Sequence, residues 1–388
     1  QYNTVDALYG QIRGGRYNMV SDYAGTISGG TYNTIDSGDY AAIVGGTGNS
    51  ASGADSSTIV GGSGHLMNGA WSTIIGGMDN TVVGDYSILA GGNDNAIYGD
   101  YSRIAGGTSG TVDGDYGTIH GGNGNDVGAY GVVTGGTDNL AAGSYARVGG
   151  GRGNSAPGYG ASLAGGAYSY AAGYMAALNG GYKNYVDGSY STIRGGAGNT
   201  LEGAYGLILG GSDNSASGDY AVILGGQSNT ASGDYSSVNA GSMNAAIGYA
   251  ALVVGGSGNT ADGDYATVIG GMGNSASGDW AYISGGFQNT AAGAYASVQG
   301  GMSNSAIGVG AVVGGGSSNV ANGDYTAILG GTINTAISDF ATVIGGKDNT
   351  ANGEGAAVHG GKSNTAKGQS SVIGAGSMNQ ILDNYGHI

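Results

Sequence analysis

Carboxylates recur at a fixed interval in this chain: Asp85, Asp100 and Asp115 lie 15 residues apart, and so do Asp219 and Asp234. Carboxylates held one repeat apart repel one another unless water or a shared cation lies between them. The spacing therefore raises a cation ladder on Asp85, Asp100 and Asp115, with calcium as the natural occupant, against the plainer expectation of a solvated acidic face. A second route to calcium, the nonapeptide loop, is met only by Gly121-Gly-Asn-Gly-Asn-Asp126. That string does not recur, and Gly128 stands where an aliphatic residue is needed. The four histidines (His65, His120, His359, His387) fall at different phases, and no HExxH, nucleophile elbow or phosphate loop is present. Arg103, Arg147, Lys183 and Arg194 are scattered, so no carboxylate-and-cation cluster suited to polysaccharide cleavage forms. There is no cysteine to act as ligand or nucleophile. The reading is a chain without catalysis and without a cofactor.

The interval of 15 belongs to the whole sequence. Taking Gly263 as position 1, the turns read GDYATVIGGMGNSAS, GDWAYISGGFQNTAA and GAYASVQGGMSNSAI. Such a period decides the architecture before any other feature does. Position 6 is always Ile, Val or Leu, as in Val268, Ile283 and Val298, and position 4 is nearly always small. Alternation over positions 3 to 7 predicts a short strand with one face inward. Gly-Gly at positions 8 and 9 ends it, with Ala240 and Ala375 replacing the first Gly. A second strand is expected over positions 12 to 14. Position 12 is Asn except at His65, Gly110 and Ser169. Asn259, Asn274 and Asn289 are thus expected to form a hydrogen-bonded ladder along the coil. Position 3 reads as aromatic in most turns, Tyr9, Tyr23, Tyr40 and Trp71 among them. Tyr86, Tyr101, Tyr116, Tyr220 and Tyr235 are expected to stack as a strip that packs or binds sugar.

Departures from the period are few: an extra residue at Ser37, another near Gly53-Ala54, and one missing near Asp126-Val127, all at one corner. Position 14 is larger in the first turns (Val5, Val20, Ile35), where Tyr2, Tyr17 and Tyr32 occupy position 11. The fold expected is all-β: a parallel β-solenoid, or β-roll, running as a single continuous domain through residues 1–388 in about 26 coils. Composition agrees: 90 glycines, one proline and 9 % charged residues suit neither collagen, a helical protein nor an ordinary globule. A net charge of −16 argues against nucleic acid, and no apolar run is long enough for a transmembrane helix. The start at Gln1 points to a processed chain. Coils without caps point to end-to-end stacking, since Ile388 and Gln1 are nearly in phase.

The turn Gly368-Gln-Ser-Ser-Val-Ile-Gly-Ala-Gly-Ser377 resembles the head repeat of trimeric autotransporter adhesins, and the GDYxTVxGGxxNTAxG form resembles repeats of bacterial surface proteins and phage tail fibres. The resemblance spans the chain and implies a left-handed roll, three chains side by side and an adhesive or spacer role at a cell surface or on a virion. Two features depart from the adhesin pattern: 15 residues per turn against about 14, and no coiled-coil stalk or membrane barrel. Outward aliphatics at positions 5 and 7, among them Val44, Val60, Ile75, Leu209, Leu224, Val254 and Ile269, point independently to self-association. The expected function is an extracellular structural fibre or adhesin, a homotrimer or filament. The rivals are a phage fibre recognising host glycans and an ice-binding face on the position-5 threonines (Thr26, Thr58, Thr73), which Arg103 and Arg147 interrupt.

Overall fold

A computed structural model describes residues 2–388; Gln1, and with it the expected phase match to Ile388, lies outside the described residues. It is an all-β parallel solenoid of about 25 turns with about 15 residues in each. The chain forms two compact units, Gln1–Gly195 and Gly196–Ile388.

Each turn contributes two short strands, typified in the second unit by Thr267–Ile269 and Ser275–Ala276. Each pairs in parallel with its counterpart one turn on, Val268 with Ile283 and Ala276 with Ala291. Between them runs a third ladder that the sequence reading did not anticipate. Position 10 forms single-residue parallel bridges, Met272 to Phe287 to Met302 in the second unit and Arg16 to Thr31 to Thr47 in the first. Its residues share no character, so no pattern announced it.

The core of each unit is thin and regular. Val268, Ile283 and Val298 are fully buried, with Ala266 and Ala281 at position 4 and Ala276 and Ala291 at position 14 beside them. Volumes at 4 and 14 compensate. Where position 14 carries a branched side chain, position 4 often drops to Gly, as with Gly25 between Val20 and Ile35 or Gly117 beside Val112. A Cβ on Gly25 would come within 3.0 Å of Val20 and 3.2 Å of Ile35. A methyl there would press on both side chains, which would have to give way by a few tenths of an ångström.

The expected strand over positions 3 to 7 needs correction at its start. Position 3 is not on the pleat but at a corner, in left-handed backbone: φ is 55° at Tyr86, 59° at Tyr220 and 58° at Tyr265. L-residues rarely adopt this conformation, at a cost of about 1–3 kcal/mol each, and keep it only where the surroundings over-determine it. Here the amide of each such residue donates to the turn before, Tyr235 to Asp219 at 2.8 Å and Tyr265 to Tyr249 at 2.7 Å.

The irregular turns behave as expected. Thr34–Ser37 carries a bulge against Ser50–Ser52, the register shifting between Ile35 and Ser37. The one-residue deletion leaves the strands paired, with Thr118 opposite Val132.

Candidate functional site

The Asn ladder is built as anticipated, and it uses every polar atom. The Asn274 backbone amide donates to Asn259 Oδ1 at 3.0 Å, and the Asn289 amide donates in turn to Asn274 Oδ1 at 3.0 Å. Asn274 Nδ2 donates to Gly270 O in its own turn (3.2 Å) and to Gly286 O in the next (3.1 Å). All these side chains are buried, so each bond replaces one that water would otherwise make. Two of the three exceptions are chemical substitutes: His65 Nδ1 accepts from Asn80 N at 3.2 Å, and Ser169 Oγ accepts from Asn184 N at 3.3 Å. Gly110 interrupts the ladder: its amide donates to Asn95 Oδ1 at 2.9 Å, but it has no side chain to accept from the next turn.

A shorter ladder of the same kind escaped the sequence reading. In the first unit, position 4 carries Ser57, Ser72, Ser87 and Ser102. The Ser87 amide donates to Ser72 Oγ at 2.9 Å, while Ser87 Oγ donates to Gly99 O at 3.0 Å. Small size had been the only property read at this position. Four serines in consecutive turns were the available signal.

The Asp row also serves the backbone. Asp85 Oδ1 accepts from Ala70 N at 2.7 Å, Asp100 Oδ1 from Asp85 N at 2.8 Å, and Asp115 Oδ1 from Asp100 N at 2.9 Å. In the second unit Asp219 and Asp234 do the same for Ala204 and Asp219. One oxygen of each carboxylate is therefore committed to the preceding turn. Among the described residues, no three His, Asp or Glu side chains gather as metal ligands would.

The rings at position 3 stack. Tyr86–Tyr101 and Tyr101–Tyr116 have centroids 4.9 and 5.0 Å apart with planes within 5°, and Tyr220–Tyr235 are 4.8 Å apart at 2°. Rings stacked on both sides, such as Tyr101 and Tyr220, have both faces covered and turn mainly edge and hydroxyl to solvent. The partial burial that stacking produces pushes the phenols of Tyr101 and Tyr220 up, neighbouring tyrosines and aspartates adding to the effect.

One assignment at this row is corrected. Tyr23 lies at position 2, and Ala24 takes the left-handed corner with φ 54°. The same displacement recurs where position 3 holds Gly160, Met175 or Ala250: Tyr159, Tyr174 and Tyr249 sit one residue earlier and carry the ladder through. Tyr249 meets both Tyr235 and Tyr265 edge to face at 5.5 Å, and Tyr159 stacks on Tyr174 at 5.2 Å.

The position-7 aliphatics point outward as expected, with Val44, Val60, Ile75, Leu209, Leu224 and Ile269 exposed and Val254 half-buried. His65 alone of the four histidines is buried. No concave pocket occurs among the described residues, and no helix long and apolar enough to cross a membrane occurs among them. No protein family model matches the chain, and no curated protein matches it.

Proposed function

We propose that this chain is a non-catalytic structural protein of the extracellular surface: a solenoid that self-assembles into a rigid appendage or filament, adhesive or spacing in role. Its basic unit in this reading is three left-handed rolls side by side. The main support is where the repeated polar side chains go. Asn at position 12, Asp at position 2 and Ser at position 4 all bond the backbone of a neighbouring turn, and interior rings cover one another. Chemistry repeated from turn to turn and directed at the neighbouring turn suits a load-bearing element. The outward aliphatic runs supply a surface on which copies would associate.

Glycan recognition by a virion fibre finds less support, because sugar stacking needs a free aromatic face and the interior rings offer edges. The ice-binding rival rests on position-5 threonines that Arg103 and Tyr282, both exposed, interrupt.

Cryo-electron microscopy of the purified chain tests the reading, with three chains expected in cross-section and surface labelling of the producing cells or virions to place it. Single chains at every concentration would overturn the assembly; a saturable sugar-specific interaction would favour the glycan reading.

A further inference from the structure

The aromatic ladder has gaps, and two of them are one ring wide. At Ala24, Gly160, Met175 and Ala250 a tyrosine at position 2 closes the ladder, but nothing does so at Gly310, where position 2 is Val309. On one side of this gap Tyr295 stacks on Trp280, with planes 8° apart, and on the other Tyr325 stacks on Phe340, with planes 7° apart. The faces that Tyr295 and Tyr325 turn toward Gly310 have no ring against them. Exposure agrees: Tyr295 is 64 % and Tyr325 59 % exposed, against 44 % for Tyr220 inside a stack. The two rings stand two turns apart, about 10 Å, which admits one planar group at stacking distance from both. Gly310, in left-handed backbone with φ 64°, forms the floor, and the Tyr325 ring leans over it, Cδ1 lying 3.0 Å from where a Cβ would stand.

Three features select the occupant. Two ring faces present negative quadrupole charge to whatever enters. Asp324, whose Oδ1 accepts from Val309 N at 2.8 Å, places a carboxylate beside the gap. No Lys or Arg occurs between Arg194 and Lys347, so no basic side chain in that stretch competes for the position.

We propose that this gap is a binding slot for a planar cation, the guanidinium of an arginine side chain on a partner protein. A guanidinium is flat enough to lie between the rings and has edge N–H groups to meet the carboxylate; an ammonium has the charge without the plane. A related gap lies in the other unit, with its carboxylate one turn earlier: Asp55 belongs to the gap's own turn, Ala70 stands where Asp324 does, and Tyr40 meets Tyr23 edge to face. There Ser56 lies between Tyr40 and Trp71, 60 % and 59 % exposed, and Asp55 Oδ1 accepts from Asp39 N at 2.9 Å. This proposal stands apart from the assembly reading, since it needs no second copy of the chain.

Calorimetric titration of the intact chain with a short peptide carrying one arginine, and with its citrulline counterpart, is the test. The arginine peptide should bind at two sites, and the uncharged, equally planar citrulline peptide about tenfold more weakly. Gly310→Tyr restores the ring that other turns carry; its Cβ would stand 3.0 Å from Tyr325 Cδ1, so that ring must shift slightly, and the chain should keep its circular dichroism spectrum and lose one site. Adding Ser56→Tyr should remove the other. Asp324→Asn keeps the Oδ1 acceptor and removes the charge, and should weaken its own site about fivefold. Undiminished binding in the Gly310→Tyr/Ser56→Tyr variant would overturn the slot in favour of general attraction to an acidic surface. Equal binding of citrulline, or of a neutral pyranose, would overturn the cation, and no binding at all would overturn both.

Discussion

His65 shows how much one ladder position bears. Its Nδ1 accepts from Asn80 N, which fixes the proton of the neutral ring on Nε2, and Nε2 is buried without a partner. Burial pushes the imidazole pKa below its ordinary value, the nearby Asp79 opposing only in part. A basic group depressed in the folded state costs nothing while neutral in both states. As pH falls below the unfolded value of about 6.5, the unfolded chain takes up a proton that the folded chain resists, and stability is lost down through the folded pKa. Melting temperature should therefore fall more steeply between pH 7 and 5 in the natural chain than in His65→Asn, which restores the amide; parallel curves would contradict this. Asn274→Ala tests an ordinary position. It removes the acceptor for Asn289 N and the amide that donates to the carbonyls of Gly270 and Gly286, a loss of about 1–3 kcal/mol. The Asn289 amide should exchange with solvent faster, with amides several turns away unchanged, because solenoid turns couple mainly to their neighbours.

At the scale of the turn, the two glycines of the Gly-Gly pair do different work. Gly271, at position 9, has φ 82°, and a Cβ there would collide with the carbonyl of Gly286 and the amide of Asn274. Position 8 varies: Gly270 has φ 71°, whereas Gly345 has open space around its missing Cβ and no left-handed requirement. Gly271→Ala should destabilise by more than about 2 kcal/mol while Gly345→Ala stays within about 0.5 kcal/mol. Denaturant midpoints of the two variants check it, and Ala240 and Ala375 are natural precedents for the tolerant site. Much of this turn was legible in the sequence, because inward positions must be apolar, small or self-pairing, and such demands leave a periodic mark at 4, 6, 12 and 14. The rest was hidden for a physical reason. Outward position 10 makes its bridges with backbone atoms alone, so Met272, Phe287 and Ser317 serve equally. Tyrosine at position 3 looked like strand because aromatics favour strands, and only backbone geometry reveals the corner. The Asp row was legible as a row, but its hydrogen bonds to the backbone of the preceding turn depended on that same corner.

For the molecule as a whole, two surface properties oppose each other. Leu209 and Leu224 lie outward in adjacent turns, as do Val60 and Ile75, and Ile269 continues the pattern after Val254. Covering a branched side chain fully is worth about 1.5–3 kcal/mol, and half-exposed ones gain a part of that, repeated at each turn of an aligned run. Against this stands a net charge of −16, which copies in lateral contact must bring together. Repulsion of that kind is screened over about 10 Å at 0.1 M salt and about 3 Å at 1 M, while the apolar gain is not weakened. Association should therefore strengthen as salt rises, the reverse of an assembly held by ion pairs. Sedimentation velocity across a salt series reads this directly, with heavier species expected at high ionic strength. Leu209→Asp/Leu224→Asp adds charge and removes apolar area at exposed positions. It should shift the distribution toward single chains with little change in melting temperature, since neither side chain supports the core. A variant that assembles like the natural chain would exclude this run as the contact, and single chains at all salt concentrations would remove self-assembly from the account of what the protein does.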